Sequence, residues 1–198
     1  GIYTSTSVEY TLGALNASVA AYYNKIDDKI TQYSVVNSAG GTERYYKNVS
    51  SSTLKGFDAN VTYTFFRQLN IRGSYSYCSA KDNDTGLQLE SNTRHSGTAS
   101  ATWNGRIARS PFSLQFAGRF HSPMIYYQTD TDAWGNEVIT ENSSKSYSIW
   151  KVTLVKPVRL NKHTFELTFK VDNLFHFSDT SFVNPGRQYL VGLRYRFK

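Results

Sequence analysis

Cysteine and methionine each occur once in these 198 residues. With Cys78 alone, an intrachain disulfide framework is excluded. The plain reading of Cys78 is a small side chain on a polar-facing strand position. No apolar run reaches the ~18 residues that a transmembrane helix needs. No stretch repeats its apolar residues at the helical period either. Gly1-Ile2-Tyr3-Thr4 has no charged-then-apolar leader, so an export signal is expected upstream or already removed. Catalytic signatures are missing as well. There is no GxSxG elbow and no HExxH, and His95, His121, His163 and His176 fall singly at strand ends or in turns. His121 beside Ser122 is the pair a hydrolase could use, but an interfacial polar histidine is the more ordinary reading. Asp82-Asn83-Asp84-Thr85-Gly86 with Glu90 lacks the ~12-residue spacing of a calcium loop and reads as a solvated connection. No enzymatic activity, cofactor or metal site is expected.

The net charge of +7 does not imply nucleic acid. The basic residues are scattered singly, and no Gly/aromatic RNA-binding pattern accompanies them. Contact with anionic lipopolysaccharide, or solvation, is the expected use. Mean hydropathy is −0.47, ordinarily the mark of a soluble domain. Strands that alternate between lipid and water average out on such a scale, so this test does not exclude a barrel.

What the chain has in excess is 15 Tyr and 12 Phe. With so little Met, this suits aromatic girdles at a membrane interface better than a packed soluble core. At the end of the chain, Tyr189, Val191, Leu193, Tyr195 and Phe197 alternate with Gln188, Leu190, Gly192, Arg194, Arg196 and Lys198. A period of two predicts a strand, and its two unlike faces call for two unlike solvents. Similar alternation is expected over residues 4–12, 16–30, 54–65, 69–79, 95–103, 112–121, 146–156 and 164–175, giving about nine strands. Turns near Gly13, Arg67, Gly105 and Asn161 are short, whereas connections 31–53, 80–94, 122–145 and 176–187 are long. Short turns on one side and long ones on the other describe an antiparallel up-and-down transmembrane β-barrel. A β-sandwich gives no reason for that segregation. Bacterial single-chain barrels have even strand numbers, so nine argues for a fragment or for a miscounted strand.

Asn173-Leu174-Phe175, Pro185-Gly186-Arg187 and Gly192-Leu193-Arg194-Tyr195-Arg196-Phe197 together resemble the C-terminus of TonB-dependent outer-membrane receptors. The resemblance implies that residues 1–198 are the C-terminal barrel portion of such a receptor, about nine strands of a 22-stranded wall. It implies that the plug domain and the TonB box lie N-terminal to this sequence. The implied function is uptake of a scarce nutrient, a siderophore, cobalamin or haem-like ligand, driven through an inner-membrane energy-coupling protein. The implied partners are outer-membrane lipid and lipopolysaccharide, the plug, the remaining barrel strands and the small ligand. Gly192, Tyr195 and Phe197 are similar to the signal read by the barrel-assembly machinery.

On this topology Tyr33, Tyr45, Tyr46, Tyr126, Tyr127 and Trp134 lie on extracellular connections, where amphipathic rings could stack on a ligand or pack loop on loop. Arg72, Arg119, Lys151, Glu166, Lys170, Asp172, Arg194 and Arg196 fall on the polar face, toward a plug or a wet lumen. A smaller complete barrel (porin-like channel or hydrolase) and a soluble β-sandwich binding module are the alternatives.

Overall fold

A computed structural model describes residues 1–36, 41–107, 109–161, 163–179 and 186–197. Among them there is no helix, and nine strands form one antiparallel sheet in the order β1-β2-β3-β4-β5-β6-β9-β10-β11. The strands are β1 (Ile2–Leu12), β2 (Leu15–Val36), β3 (Thr42–Phe65), β4 (Leu69–Asp82), β5 (His95–Ile107), β6 (Ser110–His121), β9 (Tyr147–Leu160), β10 (His163–Asp172) and β11 (Gln188–Arg196). Two further strands, β7 (Ile125–Thr131) and β8 (Glu137–Ser143), pair only with each other as an excursion between β6 and β9.

The register carries the expected alternation across the whole sheet. Leu12, Leu15, Tyr63, Ile71, Ala101, Phe116, Val152, Val171 and Tyr189 follow one another through consecutive strand pairs. One residue away, Thr11, Asn16, Thr62, Arg72, Ser100, Ala117 and Lys151 do the same on the opposite face. Trp150, Val152 and Leu154 share the apolar face, as their alternation predicts. The pairing is also staggered. Leu69, the first residue of β4, sits opposite Trp103, although β5 runs on to Ile107. Such a slip from hairpin to hairpin is the shear that lets a sheet close into a barrel.

No second layer covers the apolar face. Ala80 and Phe112 are the buried hydrophobics among the described residues, while Val191 and Phe169 remain 75% and 47% exposed. A sandwich would bury that face between two sheets; here it is left for hydrocarbon. In this sheet every strand between the edges β1 and β11 is hydrogen-bonded on both sides, as a bilayer requires, whereas each of those two edge strands has one paired side among the described residues.

Three glycines on the apolar face, Gly97, Gly105 and Gly118, each receive an aromatic ring from the next strand. A Cβ on Gly97 would lie 2.5 Å from the ring of Phe120, on Gly105 2.6 Å from Phe112, and on Gly118 2.2 Å from Trp150. Trp150 in turn stacks on Phe116 at 4.8 Å, and Phe112 meets Trp103 edge-on at 5.1 Å. The rings lie flat over the bare backbone and shield it from lipid.

Four expectations are corrected. Residues 31–36 and 42–53, expected in a loop, are strand: β2 runs to Val36 and β3 starts at Thr42, paired as far as Val36↔Thr42. Residues 122–145 hold the β7–β8 hairpin. The short turn expected near Gly105, between strands 95–103 and 112–121, is shorter still, since β5 extends to Ile107 and β6 begins at Ser110. Asn173-Leu174-Phe175 follows β10 rather than ending inside it.

Candidate functional site: rim and polar face

Long connections and the β7–β8 hairpin gather at one end of the sheet. β2 and β3 are 22 and 24 residues long. At about 3.3 Å per residue each spans roughly 70–80 Å, far more than an apolar band of ~25 Å requires even when tilted. Their upper halves therefore stand clear as a ribbon. Tyr33 faces Tyr45, and Gln32 faces Tyr46. The Tyr45 hydroxyl donates to Glu43 Oε2 at 2.5 Å, and Tyr46 is 73% exposed. The side chain of Tyr33 lies outside the described residues.

The β7–β8 hairpin is tied to the β4–β5 connection. Ser91 N–H donates to the Ile125 carbonyl at 3.2 Å, Tyr127 N–H donates to Glu90 Oε1 at 2.7 Å, and Thr93 bridges Met124. Burial, and then the nearby Glu141 carboxylate, push the Tyr127 phenol above its ordinary range. At the hairpin turn, Asp132 Oδ1 accepts the N–H groups of Trp134 and Asn136 at 2.9 and 2.8 Å, and Oδ2 accepts the Asn136 side-chain amide at 3.1 Å. These bonds, those from Asn136 first, hold the carboxyl below the usual carboxylate range. They also present Trp134 at the tip, 87% exposed. The structure thus places Tyr45, Tyr46, Tyr126, Tyr127 and Trp134 on two hairpins at the same end of the sheet, not on irregular loops.

Two residues that sequence reasoning did not single out, Tyr147 and Phe177, join them. His121 stacks on Tyr147 at 4.8 Å, and Tyr147 meets Phe177 at 5.7 Å. Together with Ser122 and Pro123 they line a recess of about 470 Å³. Tyr147 is opposite His121 only because β7 and β8 are bypassed; a reader who knew the excursion could have paired them. Ser122 is engaged elsewhere. Its hydroxyl accepts His95 N–H at 3.0 Å and donates to the Pro123 carbonyl at 3.4 Å, so His121 and Ser122 do not form a hydrolytic pair among the described contacts. Asn173, 3% exposed and at φ 51°, clips the turn that carries Phe177. Its amide donates to the Phe177 carbonyl and its oxygen accepts Phe177 N–H, both at 2.8 Å.

On the polar face, Lys170 pairs with Asp172 at 2.5 Å and Arg194 with Glu166 at 3.5 Å. Arg72 Nε donates to Asn70 Oδ1 at 2.9 Å. Arg119, Lys151 and Asp172 border a recess of about 420 Å³. The Arg196 side chain lies outside the described residues. Gly192 faces the same side with open room, its nearest prospective contact being Thr168 Cβ at 3.6 Å. Tyr195 and Phe197 point to the apolar side, their rings 4.5 Å apart, and Tyr195 hydrogen-bonds His163. Asp82 turns out to cap its own loop, accepting Asp84 N–H at 2.9 Å and Thr85 N–H at 3.2 Å. Among the described residues, no three His, Cys, Asp or Glu side chains converge as metal ligands.

Comparison with known proteins agrees with this architecture. The family model described as TonB dependent receptor-like, beta-barrel matches residues 2–174. No curated protein matches. Among solved structures, the siderophore receptor PirA from Acinetobacter baumannii superimposes with a TM-score of 0.71 at 18% identity, over 98% of this chain and 31% of that one. A mutant of the ferric enterobactin receptor PfeA from Pseudomonas aeruginosa gives 0.68 at 19%, over 96% and 30%. The FrpB iron transporter from Neisseria meningitidis gives 0.65 at 16%, over 96% and 30%. The chain therefore spans about three-tenths of the proteins it superimposes on.

Proposed function

Because this chain belongs to the family of TonB-dependent receptor-like β-barrels, we propose that it supplies part of the wall and rim of an outer-membrane receptor importing a scarce chelate of the siderophore kind. Its location is the outer membrane, and its class is receptor and transporter rather than enzyme. The plug and the remaining barrel strands lie elsewhere in the longer protein on this reading, and energy comes from an inner-membrane coupling protein. The polar ladder from Arg72 to Arg194 faces the plug.

One observation carries the choice of ligand site. Tyr45, Tyr46, Tyr126, Tyr127 and Trp134 lie above the apolar band on two ordered hairpins, all exposed to water except the half-buried Tyr127. Flat aromatic surfaces held there suit a planar, partly apolar chelate. PirA, PfeA and FrpB, by their names, handle siderophores or iron.

The test is ligand binding by the intact receptor with all five residues changed to alanine. Aromatic contacts are worth about 0.5–1.5 kcal/mol each, so affinity for the iron-loaded ligand is expected to fall at least tenfold. Heat-modifiable migration of the barrel should be unchanged. Unaltered affinity and uptake would refute the site, and uptake that persists without the energy-coupling protein would refute the transport class.

A further inference from the structure

Between β6 and β9 the ladder stops early. Its last pair is Ser113↔Val155, yet β6 stays paired with β5 down to Ile107↔Ser110, and β9 with β10 down to Leu160↔His163. Two residues further on, the same register would set Pro111 opposite Pro157. Proline has no N–H to give to a ladder. The Pro157 carbonyl points toward β6, where it accepts the Ser110 hydroxyl at 3.4 Å. The N–H that Pro157 lacks is therefore one that β6 would have received. Side chains bridge the seam instead, with Lys156 Nζ donating to the Ser110 carbonyl at 3.2 Å.

The split opens a recess of about 840 Å³ at the short-turn end of the sheet, opposite the rim. Small-molecule sites span roughly 300–1,000 Å³. By parity Arg106, Pro111, Pro157, Arg159 and Glu166 stand on the polar face, with Ser100, Ala117 and Lys151. Arg109 joins from the turn between β5 and β6, held in the left-handed region at φ 63°. Pro111, Pro157 and Val158 give the recess apolar walls, two of them rigid rings.

Its charge is unbalanced. Among the described residues Arg106, Arg109 and Arg159 have no ion pair. The carboxylate in the lining is Glu166, and Arg194 holds it at 3.5 Å. Three like charges around one hollow repel each other, and an anion placed among them reverses the sign of that energy. Each guanidinium is a planar fork that matches a carboxylate through two parallel hydrogen bonds. Arg106 and Arg159 are rooted about two strand spacings apart, roughly 10 Å. One small anion does not meet both, whereas a molecule with two or three anionic groups does. Walls of proline and valine suit a carbon skeleton between those groups.

We infer that the split seam is a binding site for a small organic polycarboxylate, gripped by Arg106, Arg109 and Arg159. It stands on the recess alone, apart from the rim and from the identity of any imported ligand. The carboxylates belong either to a free organic acid or to the arms of a metal chelate, and the two sources are separable by titration.

The experiment is calorimetric titration of the intact receptor in detergent with tricarballylate, its neutral triamide, inorganic phosphate and the ferrioxalate trianion. Tricarballylate or ferrioxalate should bind at least tenfold more tightly than phosphate, and the triamide should not bind. Preference for tricarballylate assigns a free acid, and preference for ferrioxalate assigns a chelate. Arg106→Gln, Arg109→Gln and Arg159→Gln should each weaken binding about tenfold, as expected for charge-assisted hydrogen bonds. Arg67→Gln, on the neighbouring short turn, should leave it unchanged. Pro111→Val with Pro157→Val restores both N–H groups, and closure of the seam should weaken binding at least tenfold with every arginine in place. All variants must keep heat-modifiable migration. Undiminished binding by the triple arginine variant or by the double proline variant, or phosphate bound as tightly as both carboxylates, would overturn the proposal.

Discussion

The lower and upper halves of the β2–β3 ribbon share one hydrogen-bond ladder yet look like different proteins. Below, Ala17, Val19 and Ala21 oppose Val61, Ala59 and Phe57, while Asn16, Ser18 and Ala20 oppose Thr62, Asn60 and Asp58. Above, Gln32 opposes Tyr46, Tyr33 opposes Tyr45, Ser34 opposes Arg44 and Val35 opposes Glu43, a sequence without the regular apolar alternation of the lower half. The ladder needs only backbone groups in register. Alternation is imposed by something else, namely a different solvent on each side of the sheet. In this chain it marks the bilayer, not the strand.

The contrast breaks first under charge. Val152→Arg places a guanidinium in the apolar row between Phe116 and Val171 and should cost about 2–4 kcal/mol when the barrel folds into lipid vesicles under urea titration. Ile139→Arg, on the exposed hairpin strand β8, should stay within about 0.5 kcal/mol. Equal costs would mean that the bilayer does not distinguish the two regions.

Next comes steric fit. Gly118→Ala drives a methyl into the Trp150 ring and should cost about 1–3 kcal/mol in the same titration. Gly192→Ala, with 3.6 Å of room on the polar face, should cost under about 1 kcal/mol. Smaller again is Asn173→Ala, which removes both 2.8 Å bonds to Phe177. It should loosen that turn by about 1–2 kcal/mol, read as faster amide exchange at Phe177.

The smallest effect is a pH response confined to the upper region. The Asp132 carboxyl has a lowered folded pKa, so its contribution is fully present above the unfolded value of about 3.9 and fades as pH falls through the folded one. Amide exchange at Asn136 should quicken only on acidification below about pH 4, and Asp132→Asn should flatten that response.

The same contrast explains what could be read in advance. All nine membrane-crossing strands were legible, because Phe57 through Phe65 or Phe165 through Val171 repeat with period two. The strand segments 31–36, 42–53, 125–131 and 137–143 were not, since their residues lack the period-two apolar alternation and read as a polar loop. The rim residues follow the same division. Tyr126 and Trp134 were visible as aromatics in a polar stretch, whereas Tyr147 and Phe177 needed the β6–β9 pairing and the Asn173 clip to reach His121. The polar ladder was readable by parity, but its pairs Lys170–Asp172 and Glu166–Arg194 combine same-strand spacing with cross-strand register, and only the former is written locally.

The tether between Glu90–Thr93 and Met124–Tyr127 makes the rim mechanically stiff. Asn92 continues the chain of contacts by donating to the Cys78 carbonyl at 3.2 Å, which anchors the assembly to the wall. Two surface segments that would otherwise breathe independently become a single plate bolted to β4. Amides in both should then exchange through one shared opening, and whatever lands on Trp134 pushes on the wall itself.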